Sequence, residues 1–318
     1  MLSKFLLSSY EIELICAGPL FLPPFKGSTL RGALTMQFKR LVCYQPKVKS
    51  CEGCELESKC AYAYIFETPA TPEQKGTVGY SKFPRPFVIE PPLENKQEYE
   101  EGELLLMRLI LFGNAIEYLP YFVVTLRELG AEGIGKGRAP FTLGKIYAVN
   151  DLTASREVVY DPADSVVRST TVRLNYADMV KYAERLPKDN LKIRFLTCTR
   201  LIYNHKPAFR PEFHILMRNL LRRISLLSAG HCGEWPQLDY AGIHERAEKV
   251  KIASGNLDQI YWEHVSNRQG RRIPHEGIVG DVTYEGEMEE FLPYLVLGMF
   301  THVGDSPVFG MGKYEIIV

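Results

Sequence analysis

Apolar and polar positions along the chain predict two similar series of strands and helices. Alternating and β-branched residues indicate strands, and apolar residues at helical spacing indicate helices. In the first half this pattern predicts a strand, a helix, two strands, a helix and a strand, over residues 10–18, 28–43, 79–93, 103–113, 114–130 and 141–149. This βαββαβ order is that of a ferredoxin-like domain.

The second half repeats the order. Its predicted elements are a strand, a helix, two strands, a helix and a glycine loop with a final strand, over residues 191–203, 211–230, 252–270, 273–286, 287–300 and 302–318. An internal repeat supports two copies of one fold, because both halves carry Leu-Pro-Tyr early in the second helix (Leu119 and Leu292) and Gly-Lys before the last strand (Gly144 and Gly312).

The predicted fold class is therefore α+β, with two tandem ferredoxin-like (RRM-like, βαββαβ) domains and a C-terminal glycine-rich loop. We place the N-terminal domain at residues 1–150, with a cysteine-rich loop at 43–60. A connector follows at 151–190, and the C-terminal domain covers residues 191–318.

One stretch, SNRQGRRIPHEGIVGDVTYEGEMEEFLPYLVLGMFTHVGDSPVFGMGKYEI, resembles the C-terminal domain of CRISPR-associated endoribonucleases of the RAMP superfamily, the sixth Cas family. In the first half, FKGSTLRGALTMQFKRLVC, CEGCELESKCAYAYIFE and PRPFVIEPPL are similar to the subset of that family with a cysteine loop. The resemblance implies two ferredoxin-like domains and sequence-specific, metal-independent cleavage of precursor CRISPR RNA within its repeats. Attack by a 2′-hydroxyl would give a 2′,3′-cyclic phosphate and a 5′-hydroxyl.

Two other interpretations stay open. One is a non-catalytic RNA-binding subunit of the same machinery, because family members often carry a histidine in the first helix and residues 28–43 contain none. The other is a zinc or iron–sulfur cluster protein whose cysteine loop performs the function.

Four of the seven cysteines lie in one short window with the spacing C-x7-C-x2-C-x5-C. The loop is rich in Lys and Glu and poor in apolar residues, so burial alone does not order it. Four thiolates on a structural Zn²⁺ would do so, with an iron–sulfur cluster as the competing ligand and free thiols as the alternative. The predicted ligands are Cys43, Cys51, Cys54 and Cys60, and no cofactor is expected for catalysis.

The net charge is zero, with 38 basic and 38 acidic residues, which excludes a histone-like polycation. Residues 191–223 nevertheless hold eight Lys and Arg against one acid, Glu212. Such segregation predicts a cationic track for a phosphate backbone, and a glycine loop offers backbone N–H groups to phosphate. The predicted RNA-binding residues are Lys206, Arg218, Arg222, Arg223, Arg268, Arg271, Arg272, Gly304, Gly310, Gly312 and Lys313.

Metal-free cleavage of RNA needs a general base, a general acid and cations near the phosphate, and histidine titrates close to neutrality. We rank His302 first as catalytic candidate, beside the glycine loop, with an anchoring role as the alternative. His205 and His231 follow.

No stretch of about 20 apolar residues is present, so we expect no membrane span and a cytoplasmic protein. The expected partners are CRISPR repeat RNA and other CRISPR effector subunits, and the expected state is a monomer or homodimer.

Overall fold

The computed structural model describes residues 2–48, 50–70, 82–266 and 271–318, with backbone alone at 264–266 and 271–273. The chain forms two compact units. The N-terminal unit comprises Phe5–Leu174 and Leu226–Glu234. The C-terminal unit comprises Met1–Lys4, Asn175–Ser225 and Trp235–Val318. No helix in the described part of the chain is long and apolar enough to cross a membrane.

The N-terminal unit is built on an antiparallel sheet with two helices. Its helices are α1 (Gly27–Val42) and α2 (Leu119–Glu132). Its strands are β1 (Leu6–Cys16), β2 (Leu20–Phe21), β3 (Phe87–Glu90), β4 (Glu98–Tyr99), β5 (Leu104–Phe112), β6 (Phe141–Asn150), β7 (Ser155–Asp161), β8 (Val166–Val167) and β9 (Leu174–Asn175). The sheet order is β3-β5-β1-β6-β7-β8, with β9 beside β1 and a separate β2–β4 pair.

The apolar face of α1 explains why this helix covers the sheet. Leu30, Leu34 and Phe38 recur every fourth residue and are all buried. The Phe38 ring lies 5.1 Å from the ring of Phe66 and 5.4 Å from that of Phe122 on α2, so the two helices share one aromatic core. The series β1-α1-β3-β5-α2-β6 has the βαββαβ order predicted from the sequence.

The C-terminal unit repeats this arrangement. Its helices are α3 (Tyr176–Ala183), α4 (Phe213–Leu227), α5 (Tyr240–Ala247) and α6 (Leu292–Thr301). Its strands are β10 (Asn190–Thr199), β11 (Leu201–Tyr203), β12 (Lys206–Ala208), β13 (Lys251–Ser266), β14 (Arg271–Glu285) and β15 (Tyr314–Ile317). The sheet order β13-β14-β10-β15 with helices α4 and α6 is again βαββαβ, so the predicted fold class is confirmed.

Residues 151–190, the predicted connector, contain strands and a helix. The strand β7 extends the N-terminal sheet beside β6, because Val159 and Tyr160 are buried against it. Further along, Asn175 caps α3 by accepting from the backbone N–H groups of Ala177 and Asp178. The interval is thus divided between the two units.

The strands β13 and β14 are longer than the sheet that they join. The pairing of β14 with β10 ends at Thr199 opposite Ile278, whereas its pairing with β13 continues to Ser266 opposite Arg271. The far end of these strands is therefore a two-stranded hairpin beyond the sheet.

Candidate nucleic-acid interface

The loop between α6 and β15, residues 302–313, packs against the end of β10. The N–H of Gly312 donates to the carbonyl of Cys198 at 3.0 Å, and the Thr197 hydroxyl donates to the carbonyl of Gly310 at 2.8 Å. These bonds fix the glycine loop to the central strand of the C-terminal sheet.

Two glycines allow this close approach. Gly304 has a φ of 80°, and a Cβ there would lie 2.2 Å from the carbonyl oxygen of Arg200. Gly312 has a φ of 72°, and its Cβ would lie 1.8 Å from the carbonyl oxygen of Val303. Only glycine fits at either position.

Several backbone groups of the loop already have partners within the chain. The N–H of Gly310 donates to the carbonyl of Pro307, and Lys313, half-buried, donates its N–H to the Thr197 hydroxyl at 2.9 Å. With the bond from Gly312 to Cys198, these contacts define the shape of the loop. Phosphate binding by Gly304, Gly310, Gly312 and Lys313 stays a prediction.

His302 is completely buried within this loop. Its Nδ1 lies 2.9 Å from the carbonyl oxygen of Met311, across the loop from its own backbone. A catalytic imidazole must reach the RNA, and this ring has no exposed surface. The placement favours the anchoring role over the catalytic one.

His231 belongs to the N-terminal unit, in a π-helical turn (Ser228–Cys232) that follows α4. It is 2% exposed. Its Nε2 lies 2.7 Å from the carbonyl of Pro84 and its Nδ1 lies 3.3 Å from the Tyr64 hydroxyl. These bonds suit a buried structural histidine better than a proton donor to substrate.

His205 and Lys206 are exposed, on the β11–β12 hairpin of the C-terminal unit. Asn204 and His205 both have positive φ (49° and 63°), as a two-residue type I′ turn requires. The Asn219 side chain on α4 accepts from the N–H of Ile202 at 3.1 Å and donates to its carbonyl at 3.0 Å. The hairpin is therefore held firmly to α4.

The three predicted arginines of α4 point in two directions. Arg218 and Arg222 are four residues apart on one exposed face, and the guanidinium of Arg218 lies 5.7 Å from the centre of the Tyr203 ring. Arg223 faces inward, 9% exposed, and its Nε donates to the carbonyl of Thr301 at 2.6 Å. Burial lowers the pKa of Arg223 to about 9. Consecutive residues of a helix are about 100° apart around its axis, so Arg223 does not share the exposed face of its neighbour Arg222. This inward position differs from that expected of an RNA contact.

At least four of the eight basic residues in 191–223 have acidic partners in the described part of the chain. Arg194 Nε lies 2.7 Å from Asp281 Oδ1, and Lys192 Nζ lies 2.7 Å from Asp281 Oδ2. These two cations hold the pKa of Asp281 well below its usual range. The remaining pairs are Arg200 with Glu276 and Asp305, and Arg210 with Glu212. The cationic surface is therefore narrower than the sequence predicts, and it centres on the outer face of α4 and the adjoining hairpin.

The predicted basic turn around residues 267–272 falls largely outside the described part of the chain. Arg268 lies outside the described residues, and so do the side chains of Arg271 and Arg272. Nearer the sheet, the rings of Trp262 and His275 stack with centroids 4.5 Å apart.

Two histidines that the sequence does not single out, His214 and His244, also lie at this surface. His214 lies in the first turn of α4, four residues before Arg218, and its ring contacts that of His244 from α5 at 5.3 Å and that of Tyr203 from the hairpin at 5.4 Å. The four-residue spacing of His214, Arg218 and Arg222 is the signal that would have placed His214 on the basic face.

The first helix of the N-terminal unit offers basic groups with structural contacts. Lys26 is buried, and its Nζ donates to the carbonyls of Glu94 and Pro24 at 2.7 and 3.4 Å. Arg40 pairs with Glu132 at 3.1 Å.

The four predicted metal ligands are half-buried free thiols in one loop. Cys51 lies within electrostatic reach of Cys43 and Cys60, and burial raises its pKa. Among the residues that the structure describes, no three His, Cys, Asp or Glu side chains are grouped to hold a metal ion. Cysteine thiolates suit zinc or an iron–sulfur cluster, and binding to Cys43, Cys51, Cys54 and Cys60 stays a prediction.

Comparison with known structures shows the same fold. A Cas6 (TTHB231) product complex has a TM-score of 0.58 at 16% identity, covering 98% of this chain and 100% of that chain. Thermus thermophilus Cas6 (TTHB231) gives 0.54 at 16% identity, covering 98% and 99%. A Cas6 (TTHA0078) product complex gives 0.52 at 18% identity, covering 98% and 100%.

Sequence comparison assigns the family. An uncharacterized protein of Archaeoglobus fulgidus is 27% identical over 298 residues, which cover 93% of this chain and 92% of that protein. Residues 5–172, more than half of the chain, match the family model AF_1859_N, an N-terminal domain. Residues 193–314 match the model of the CRISPR-associated endoribonuclease Cas6. The chain therefore belongs to the family of proteins with an AF_1859_N N-terminal domain, and its residues 193–314 form a domain that matches the CRISPR-associated endoribonuclease Cas6.

Proposed function

We propose that this protein is an endoribonuclease that binds precursor CRISPR RNA and cleaves it once within each repeat. The observation that carries the proposal is the match of residues 193–314 to Cas6. Those residues include the β10–β14–β15 sheet, the glycine loop and the basic face of α4. Two of the similar structures are described as Cas6 product complexes.

The proposed reaction is attack of a ribose 2′-hydroxyl on the adjacent phosphate, giving a 2′,3′-cyclic phosphate and a 5′-hydroxyl. It needs proton transfer and positive charge but no metal. Of the three predicted catalytic histidines, only His205 is exposed. We propose His205 as a proton-transfer group and Lys206 beside it as a stabiliser of the phosphorane charge.

Cleavage of 5′-labelled repeat RNA in EDTA tests this proposal. We expect one cut per repeat, a cyclic phosphate on the upstream fragment, and no cut in a control RNA with 2′-deoxyribose at the cleavage position. His205→Asn should slow cleavage without changing RNA affinity. Activity that disappears in EDTA and returns with Mg²⁺ would contradict the metal-free mechanism.

A non-catalytic RNA-binding subunit is the second candidate. The burial of His302 and His231, and the lack of a histidine in α1, favour it. It predicts saturable binding of repeat RNA with no cleavage under any condition of the assay above.

We also propose that the protein works with other CRISPR proteins. One similar chain, in a partial Cas6-RT-Cas1–Cas2 complex, has a TM-score of 0.59 at 12% identity, and the match covers 47% of that chain. Light scattering during size-exclusion chromatography, with and without repeat RNA, distinguishes a monomer from a homodimer.

A further inference from the structure

Four side chains from three elements of the C-terminal unit meet at the exposed face of α4. They are His214 and Arg218 of α4, Tyr203 of the β11–β12 hairpin and His244 of α5, and we call them the imidazole cluster. The ring of His214 lies between those of Tyr203 and His244, with centroids 5.4 and 5.3 Å away. The Arg218 guanidinium lies 5.7 Å from the Tyr203 ring centre.

Local structure holds each element in place. The Asn219 amide clamps the hairpin to α4 by its two bonds to Ile202. The carboxylate of Asp239 caps α5 by accepting from the N–H of Gly242 at 3.0 Å. The cluster is therefore preorganised, and it is not an arrangement of mobile surface side chains.

The ring nitrogens of His214 set it apart from the buried histidines. The rings of His302 and His231 each bond to a backbone carbonyl. His214 is half-buried, and within the described part of the chain its ring contacts are with other aromatic rings, with no hydrogen-bond acceptor at either nitrogen. A half-buried imidazole of this kind is available to an external acceptor.

The charged groups around His214 come from every element that packs against it. Directly after α5, the Glu248 carboxylate lies 3.5 Å from His244 Nε2. From β13, the Nζ of Lys251 donates to the Glu248 carbonyl at 2.5 Å. Glu212, before α4, is paired with Arg210 at 2.9 Å.

These surroundings keep His214 in its neutral form near neutral pH. Burial, and then the neighbouring His244, lower the pKa of His214. A bound anion would favour the protonated form of His214, because a negative charge within about 4–6 Å raises the pKa of a histidine by about 1–3.

We propose that the imidazole cluster is a binding subsite for an RNA backbone phosphate, filled by protonation of His214. This inference rests on the proposed function. Arg218 supplies a permanent charge, His214 and His244 supply N–H donors, and the Tyr203 ring offers a face for an unpaired base. Because binding takes up a proton, RNA affinity rises as the pH falls.

The expected effect follows from linkage. If the phosphate raises the pKa of His214 by about one unit, affinity increases by at most about tenfold as the pH falls from about 8, and the full increase is reached only below the lowered pKa of the free protein. The slope of log affinity against log salt also becomes steeper by about 0.7 at the lower pH, as for one additional contact to a single strand.

Fluorescence anisotropy with the full chain tests the subsite. The probe is repeat RNA with 2′-fluorine in place of every 2′-hydroxyl, so that it cannot be cleaved. We expect the pH dependence in the wild type, a flat response in His214→Asn, and the full response in the control Lys181→Ala, which removes an exposed charge elsewhere in the same unit.

The outcomes separate the two proposals. A wild type that binds RNA with no pH dependence, or a His214→Asn variant that retains it, would overturn the subsite. A wild type that binds no repeat RNA at any pH would instead overturn the proposed function. If His214→Asn does not fold, Arg218→Ala provides the second test. It should reduce the salt slope by about 0.7 and keep the pH dependence, and an unchanged slope would also overturn the subsite.

Discussion

Replacement of Gly312 by alanine should destabilise the C-terminal unit. The loss should exceed that caused by the same replacement at another glycine with a similar positive φ. Gly312 has a φ of 72°, and its new Cβ would lie 1.8 Å from the carbonyl oxygen of Val303 and 2.8 Å from the carbonyl carbon. Both are backbone atoms, which cannot rotate away as a flexible side chain does, so the loop itself must move.

The magnitude has two parts. A left-handed conformation costs an L-residue about 1–2 kcal/mol, and overpacking adds about 1–3 kcal/mol. The free energy of unfolding should therefore fall by about 2–5 kcal/mol, with a decrease in melting temperature of about 2–4 °C per kcal/mol. Gly102 is the matched control, because its φ is 82° and nothing lies within 4 Å of a Cβ there.

Urea unfolding followed by circular dichroism measures both variants. We expect Gly102→Ala to lose about 1–2 kcal/mol and Gly312→Ala clearly more. Equal losses in the two variants would show that backbone conformation alone matters, and would refute the argument that close packing requires glycine at 312.

The remaining predictions concern charge and metal binding. Asp281→Asn should destabilise the protein at neutral pH, because the Asp281 carboxylate, whose pKa is lowered in the fold, stabilises the protein while it is ionised. In melts at decreasing pH, the difference from the wild type should begin to shrink below about pH 4 and should continue to shrink as the pH falls toward the lowered pKa; a constant difference would contradict this. Arg222→Ala should reduce the salt slope of RNA binding by about 0.7. Arg223→Ala should instead destabilise the fold by about 1–3 kcal/mol, because the Thr301 carbonyl loses its donor, and the reverse pattern would contradict the assignment of faces. Elemental analysis should find about one zinc ion per chain, lost in Cys51→Ser, and iron in its place would contradict zinc.

The βαββαβ order could be predicted in both halves because each element carries its own periodicity. In α4, Phe213, Leu216, Leu220, Ile224 and Leu227 form one apolar stripe that is legible without knowledge of the partner strands. The two sheets follow once the elements are known, because antiparallel strands around two helices have few arrangements.

Features that depend on distant residues could not be predicted. The burial of His302 follows from its bond to Met311 across a loop whose path is set by β10. The charge of Arg194 is neutralised by Asp281, which lies 87 positions away in the sequence. Local charge counting therefore includes cations that are paired in the fold, and proximity to glycines along the chain does not reveal that His302 is buried.

The interleaving of the two units has a consequence for biosynthesis. The chain passes between them four times, at 4/5, 174/175, 225/226 and 234/235. Leu226 packs with Phe83 and Ala70 in a buried cluster, so the N-terminal unit is complete only after residue 234. On the ribosome, synthesis of the 51 residues 175–225 of the other unit must therefore come before residues 226–234 can complete this core.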